Sequence, residues 1–318
     1  MPSPRVSILC ITYNQQDLVE QTLLSALEQE YDNLQVVASD DASPDSTAKV
    51  IRALAKKYRG RLVPVLNKSR GGITLNMNRG LAHCDGDYVA FLGGDDIFLP
   101  GKIAKQVAFM QADPNLILSH HDADVFDSAT NQTLYHWSER YGKHSGGADS
   151  VIRLGTYMCG TTVMARRERI PSGGADPRIP AASDWLMWVE MLAESGGQFG
   201  YLDETLARYR RSGGNITRAW DWKFEEQNLT LAIIEARWPQ YATLVRERRS
   251  ELYFVQAVRR FRFKEWKAAW HLAWGALFGS FPSPAWLRIA SRELWFFIRR
   301  RGRTDDLLDS FSTRHEQP

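Results

Sequence analysis

The stretch FLGGDD, Phe91–Asp96, closes the apolar run DYVAFL with two glycines and then two acids. A short apolar run bounded by turn residues reads as a buried strand. An uncharged, flexible pair in front of two carboxylates makes its carboxyl end a place where something polar is handled. Working back from it, the chain alternates. VSILCITYN is a compact strand, after which Leu18, Val19, Thr22, Leu23, Ala26 and Leu27 recur at helical spacing. LQVVASDD is a second strand, followed by SPDSTAKVIRALAKKY, where Asp45 is placed to cap a helix with Val50, Ile51, Leu54 and Ala55 on one side. LVPVL is a third strand and ITLNMNRGLAHC a third helix. Apolar strands alternating with amphipathic helices predict a layered α/β domain with parallel pairing.

Ligands in such sheets gather at the carboxyl ends of the strands. Those ends carry Thr12 and Asn14; Asp40 and Asp41 with Ser43 and Asp45 just beyond; Asn67, Gly71 and Gly72; and Gly93, Gly94, Asp95 and Asp96. Neither GxGxxG after the first strand nor GxxxxGK[ST] anywhere is present, which disfavours a dinucleotide fold and a P-loop. Carboxylates in those places imply that phosphate is held through a divalent cation bridging acids and a diphosphate.

Length and composition fit one large core or two modest ones: 318 residues, 44% hydrophobic, 24% charged, formal net charge +3. Cys10, Cys84 and Cys159 match no zinc or redox spacing and read as buried free thiols of a reducing compartment. The start, MPSPRVSILCITYN, turns polar too soon for a signal peptide, so a cytoplasmic location is expected. Charge is uneven: Arg246 to Arg303 holds fourteen Arg or Lys against four Glu, and eight of the eleven tryptophans follow residue 219.

In order, VSILCITYNQ, SDDASPDST, NKSRGGITLNMNRGLA, GDYVAFLGGDD and SDWLMWVEMLAESGGQFGYLDETLARYRRSGGNIT resemble the successive motifs of family 2 glycosyltransferases, across roughly residues 4–218. The resemblance implies the GT-A fold, a Rossmann-like, mostly parallel sheet flanked by helices. Residues 1–218 would form the catalytic domain, with a nucleotide-binding half at 1–112 and an acceptor half at 113–218. It further implies transfer of a sugar from a nucleotide-diphosphate donor to an acceptor hydroxyl, with inversion and a Mg or Mn ion. A UDP-sugar is the favoured donor and a dTDP-sugar the second choice.

Carried over by position, the resemblance puts Thr12, Asn14, Asp40, Asp41, Gly72, Asn78, Gly93, Gly94, Asp95, Asp96 and Arg210 at the donor. It makes Asp95 the metal-binding acid and Asp184 the general base, an N-cap being the structural alternative. Trp185 is expected to stack on an acceptor sugar face or to serve the core. Gly93 departs from the family, which usually has Asp or Glu there; glycine would let the backbone approach a phosphate or ribose and present an amide. Ser212 stands where similar enzymes often have His. His120 and His121 with Asp122 and Asp124 suggest a metal site only weakly, because adjacent strand residues face opposite sides.

Residues 219–318 read as an appended helical region. Its longest uncharged run, Ala268–Leu287, is broken by Pro282 and Pro284 and is too short before them to span a bilayer. Trp266, Trp270 and Trp274, four apart, with Arg259, Arg260, Arg262 and Lys264 nearby, fit an interfacial helix on an anionic membrane. The alternative is a packed subdomain, such as a homodimer would use. Nucleic-acid binding lacks a recognisable module. The acceptor expected is a glycan or lipid-linked glycan of a bacterial surface polysaccharide, and the protein would sit peripherally on the inner face of the plasma membrane. A non-catalytic sugar-nucleotide binder and a nucleotidyltransferase are the competing classes.

Overall fold

The computed structural model describes residues 3–212, 220–262 and 266–279. The first half alternates as the sequence predicts: β1 (Val6–Thr12), α1 (Val19–Leu27), β2 (Leu34–Asp40), α2 (Thr47–Lys57), β3 (Leu62–Leu66), α3 (Ile73–Leu81) and β4 (Tyr88–Gly93). Then come β5 (Ile97–Phe98), α4 (Lys102–Ala112), β6 (Leu116–Asp127), β7 (Thr133–His136), α5 (Trp137–Tyr141), α6 (Ala148–Leu154), β8 (Met164–Arg166), α7 (Ser183–Ser195) and β9 (Gln198–Arg211). The C-terminal helices are α8 (Trp220–Arg237), α9 (Ala242–Arg262) and α10 (Trp266–Gly279).

Among the described residues the strands form one sheet in the order β3-β2-β1-β4-β8-β6-β9-β5, with β7 beside β6. Pairing is parallel from β3 to β4, where helices make the crossovers. Beyond β4 it is mixed, because β8 runs antiparallel to both β4 and β6 while β6 and β9 are parallel. Gly94–Asp96 alone connect β4 to β5, yet β5 pairs with β9 at the far end of the order. The sheet therefore curls until its last strands face the carboxyl end of β4.

Period-2 alternation splits the strands between two cores. Val6, Ile8 and Cys10 pack with α1, α2 and α4 on one face; Leu9 and Val37 pack with α6 and α7 on the other. Leu231 and Ile234 of α8, Trp238 just beyond it, and Val245 and Leu252 of α9 join this second core, so the helices after residue 219 extend that core as far as α9. On α10, Trp266, Trp270 and Trp274 are 56%, 64% and 43% exposed. The rest of the basic and aromatic run, from residue 280 on, lies outside the described residues. Among those described, no helix is long and apolar enough to cross a membrane. All three cysteines are buried and free.

Candidate active site

Asp40, buried at the end of β2, accepts hydrogen bonds from the amide and hydroxyl of Ser43 at 3.0 and 2.5 Å and from the Thr12 hydroxyl at 3.3 Å. Asp41 accepts the amides of Gly71 and Gly72 at 2.7 and 2.8 Å. The two acids therefore shape the rim from behind. Between them and Ser43, Ala42 takes a left-handed φ of 57°, a strained conformation for a residue with a Cβ. Gly72, at φ 84°, opens α3. Asn14, exposed, also has a left-handed φ, and its amide donates to Ser43 Oγ at 2.8 Å. Asp45 accepts the Thr47 amide at 2.9 Å and so helps cap α2, although the boundary residue is Ser46.

The acids at β4 differ sharply from each other. Asp96 is fully buried: Thr161 Oγ1 donates a short hydrogen bond to one carboxylate oxygen, and the Arg210 amide donates to the other at 2.9 Å. Burial, reinforced by the charge of Asp95, pushes its carboxyl well above the ordinary range. Asp96 thus fastens β9 to the β4 turn. Asp95 is partly exposed; burial raises its carboxyl too, while the Arg210 charge opposes the shift. Arg210, 5% exposed, donates through Nε to the Asp95 carbonyl at 2.7 Å and through Nη2 to Gln21 at 2.7 Å.

Four further residues expected at the site spend polar groups inside the fold. The Gly93 amide donates to Thr161 Oγ1 at 3.3 Å and that of Gly94 to the Ile11 carbonyl at 2.9 Å, so neither is spare for a phosphate. Gly94 is needed against β1, because a Cβ there would lie 2.8 Å from Thr12 Cβ and 3.0 Å from the Ile11 carbonyl. Asn78 spends its amide on both polar groups of Ala175, at 2.7 and 2.8 Å, locking the loop before α7. Trp185 is 1% exposed and donates its indole N–H to the Val151 carbonyl at 3.0 Å. It serves the core because α7 is covered by α6 and α8, and it has no face open to a sugar.

Asp184 stands in the first turn of α7, whose boundary residue is Ala182, and accepts the Trp185 amide at 2.8 Å. The capping acid comes from elsewhere: Glu226 on α8 accepts the amides of Ala181 and Ala182 at 3.2 and 2.7 Å. Thr74 on α3 holds the same entry, donating to the Ile179 carbonyl at 2.6 Å and meeting Ser183 Oγ at 2.7 Å. Burial first, then the charges of Asp96 and Asp184, push the buried Cys159 thiol far up.

Sequence reasoning missed Thr161, Glu226 and Asn76, whose amide donates to the Thr12 and Ser39 carbonyls at 3.3 and 3.0 Å. No local pattern marks them, since their partners are tens of residues away. It also passed over Tyr13, 36% exposed at the end of β1 with the Arg70 guanidinium 4.3 Å from its ring centre. His120 and His121 are buried and bond to carbonyls; among the described residues no cluster of three or more metal-ligating side chains occurs. The loop from 213 to 219 lies outside the described residues.

A curled α/β sheet with acids at the carboxyl end of β4 and an acid opening a facing helix is the GT-A glycosyltransferase arrangement, and the profile described as "Glycosyl transferase family 2" matches residues 7–170, more than half of the 318. The chain belongs to that family. It is 27% identical over 216 residues to a putative teichuronic acid biosynthesis glycosyltransferase, TuaG, of Bacillus subtilis, covering 67% of this chain and 82% of TuaG. To the putative glycosyltransferase EpsE of the same organism it is 34% identical over 108 residues, 34% of this chain and 39% of EpsE. An uncharacterised Mycobacterium tuberculosis protein is 29% identical over 216 residues, 66% of this chain and 60% of that one. The match thus spans less than two thirds of several of these relatives. In fold the chain is similar to S. aureus TarS 1–349, with TM-score 0.60, 17% identity and coverage of 93% and 87%. The mannosyltransferase PcManGT of Pyrobaculum calidifontis, solved with GDP-Man and Mn2+, gives TM-score 0.60, 19% identity and coverage of 93% and 81%.

Proposed function

We propose that the chain is an inverting glycosyltransferase that moves a sugar from a nucleotide-diphosphate donor to an acceptor hydroxyl of a surface polysaccharide or lipid-linked glycan. The observation that carries this reading is Asp95 at the carboxyl end of β4 held beside Arg210 of β9, with the entry of α7, where Asp184 stands, tied by Thr74 to α3. It supports a diphosphate-side acid and a base in one cleft. Asp184 takes the proton from the acceptor hydroxyl as that oxygen attacks the anomeric carbon. The bond to the diphosphate oxygen breaks on the opposite face, which inverts the centre. Thr12, Asn14, Asp40, Asp41 and Gly72 form the nucleotide rim, and Tyr13 with Arg70 offers an aromatic surface for the base.

Asp95, more open than the buried Asp96, is the β4 acid that best suits a Mg or Mn ion, and position 93 has no side chain. One protein carboxylate fits an ion whose other ligands are diphosphate oxygens and water. Such an ion would neutralise the leaving diphosphate, and the buried charge of Arg210 acts beside Asp95 in the same sense. TarS solved with UDP and with UDP-GlcNAc, and PcManGT with GDP-Man and Mn2+, support nucleotide-sugar and metal use in general; a UDP-sugar is the donor we favour. The exposed tryptophans of α10 support a peripheral place on the inner face of the membrane.

The test is a screen of UDP-, dTDP- and GDP-sugars, with and without Mn2+, for a rise in melting temperature and for slow donor hydrolysis. One nucleotide class is expected to protect and be hydrolysed; the absence of any shift at millimolar donor would overturn the reading.

A further inference from the structure

Arginines along β9 have different company on its two faces. Arg208 pairs with Asp124 at 2.7 Å, and Arg210 sits beside Asp95. Arg211 points the other way. It is half-buried, donates to the Tyr135 hydroxyl at 2.9 Å, and lies 5.8 Å from the Tyr209 ring centre. The polar groups around it are the phenols of Tyr135, Tyr209 and Tyr141, and among the described residues no carboxylate lies within ion-pair distance of it. A half-buried guanidinium held by one phenol hydroxyl and without a carboxylate partner among the described residues keeps N–H donors for an anion.

An aromatic platform adjoins that charge. Trp137 stacks on Tyr141 at 4.3 Å and 24° and meets Tyr209 edge-on at 5.4 Å. Its indole N–H is fixed on the Tyr157 carbonyl at 2.8 Å. Exposed Arg140 hangs over Tyr141 at 5.5 Å, adding a second cation. Through Trp137 the cluster is tied to the carbonyl of Tyr157, four residues before the Thr161 that holds Asp96. It therefore lies at the edge of the candidate site, on the face of β9 opposite to Arg210.

We propose that this cluster is the subsite of an anionic acceptor glycan: Arg211 holds a carboxylate or phosphate of the acceptor while the Trp137–Tyr141 platform lies against its sugar. The assignment rests on the glycosyl-transfer reading for its meaning. Tyr135 and Tyr209 keep the guanidinium in place, so the anion meets a pre-positioned fork of N–H donors. Because Tyr209 and Arg210 are neighbours in one strand, acceptor charge and donor-side charge are set in register by a single element.

Ligand-observed NMR titration of the full chain without donor tests this, using methyl β-glucoside, methyl β-glucuronide and methyl β-glucoside 6-phosphate. Roughly tenfold tighter binding of one charged glycoside over the neutral one is expected, the usual scale of one charge-assisted contact; which charged glycoside wins separates a carboxylate from a phosphate acceptor. Arg211→Gln should erase the preference, Tyr135→Phe should weaken it, and Arg211→Lys should retain part of it. UDP affinity, measured on each variant, reports whether the donor site is still formed. Equal binding of all three glycosides to the parent, or a preference that survives Arg211→Gln, would overturn the subsite. Failure of the donor screen would count against glycosyl transfer and leave this comparison, made without donor, to stand or fall alone.

Discussion

Gly93→Asp puts back the side chain that similar enzymes have and this chain lacks. A Cβ at that position would stand 3.1 Å from Asp96 Oδ2 and 3.2 Å from Asp95 Oδ1, so the new carboxylate enters space those two acids already share. Asp96 cannot withdraw, because Thr161 and the Arg210 amide hold both of its oxygens. Two unit charges about 4 Å apart repel by about 4 kcal/mol at an effective dielectric of 20, and part of that is relieved by proton uptake. In chelator the variant should therefore lose roughly 2–4 kcal/mol of stability. A divalent ion reverses the sign, since a second carboxylate beside Asp95 completes a better oxygen site. If affinity rises to where Mn2+ is present at a hundred times Kd, the ion returns about 2.7 kcal/mol. Urea unfolding in EDTA and in millimolar Mn2+, with Gly93→Ala as the steric control, reads both numbers. A variant as stable as the parent in EDTA and no more responsive to Mn2+ would refute the placing of position 93 beside a metal-binding Asp95.

Asp95→Ala should abolish most transfer while leaving the melting temperature within a few degrees of the parent; near-parental turnover would remove Asp95 from the metal site. Asp184→Asn should cut transfer at least about a hundredfold with donor affinity nearly unchanged, and a collapse of donor affinity would make it a binding residue. Lys102 is fully buried with its ammonium 2.6 Å from Gln106 Oε1 and 4.1 Å from the Phe98 ring centre, and burial pulls it down to about 7 from 10.5. Between those values the unfolded chain binds the extra proton, so stability should rise with pH from 7 toward 9 by up to about 1.4 kcal/mol per unit. Lys102→Met should flatten that rise, and identical pH profiles of unfolding would refute it. Full-length protein should pellet with anionic vesicles at low salt and be partly released at high salt; protein that stays in the supernatant at low salt would end the membrane reading.

The first part of the chain was legible because its strands are short apolar runs and its helices carry one-sided stripes, so β1 to β4 could be placed from periodicity alone. Acids at strand ends were equally visible, yet nothing local distinguishes Asp95, partly open, from Asp96, sealed by Thr161 sixty-five residues away. Trp185 illustrates the same limit on a helix. Periodicity identifies an apolar side, but α7 is enclosed by α6 and α8, and enclosure depends on segments remote in sequence. Asn78 and Asn76 differ by two positions and so by just over half a helical turn; only packing shows that Asn76 reaches Thr12 while Asn78 reaches Ala175. The Gly93 amide is likewise bonded to Thr161, a partner invisible in the local sequence.

Internal partners stabilise much of the acidic edge. Asp40 accepts backbone and hydroxyl hydrogen bonds, Asp41 accepts two amides with Arg79 3.6 Å away, and Asp96 accepts a hydroxyl and an amide. Each acid that is spent internally fixes a loop. Asp41 sets the Gly71–Gly72 turn that opens α3; Thr74 on α3 then clamps the entry to α7, and Glu226 clamps it from the other side. The entry to α7, and with it Asp184, is consequently positioned by both α3 and α8, while Asp95 is positioned by β9 through Arg210. The two acids are held by different elements, and the placement of Asp184 depends on α8, so a helix that follows residue 219 helps to shape the candidate site.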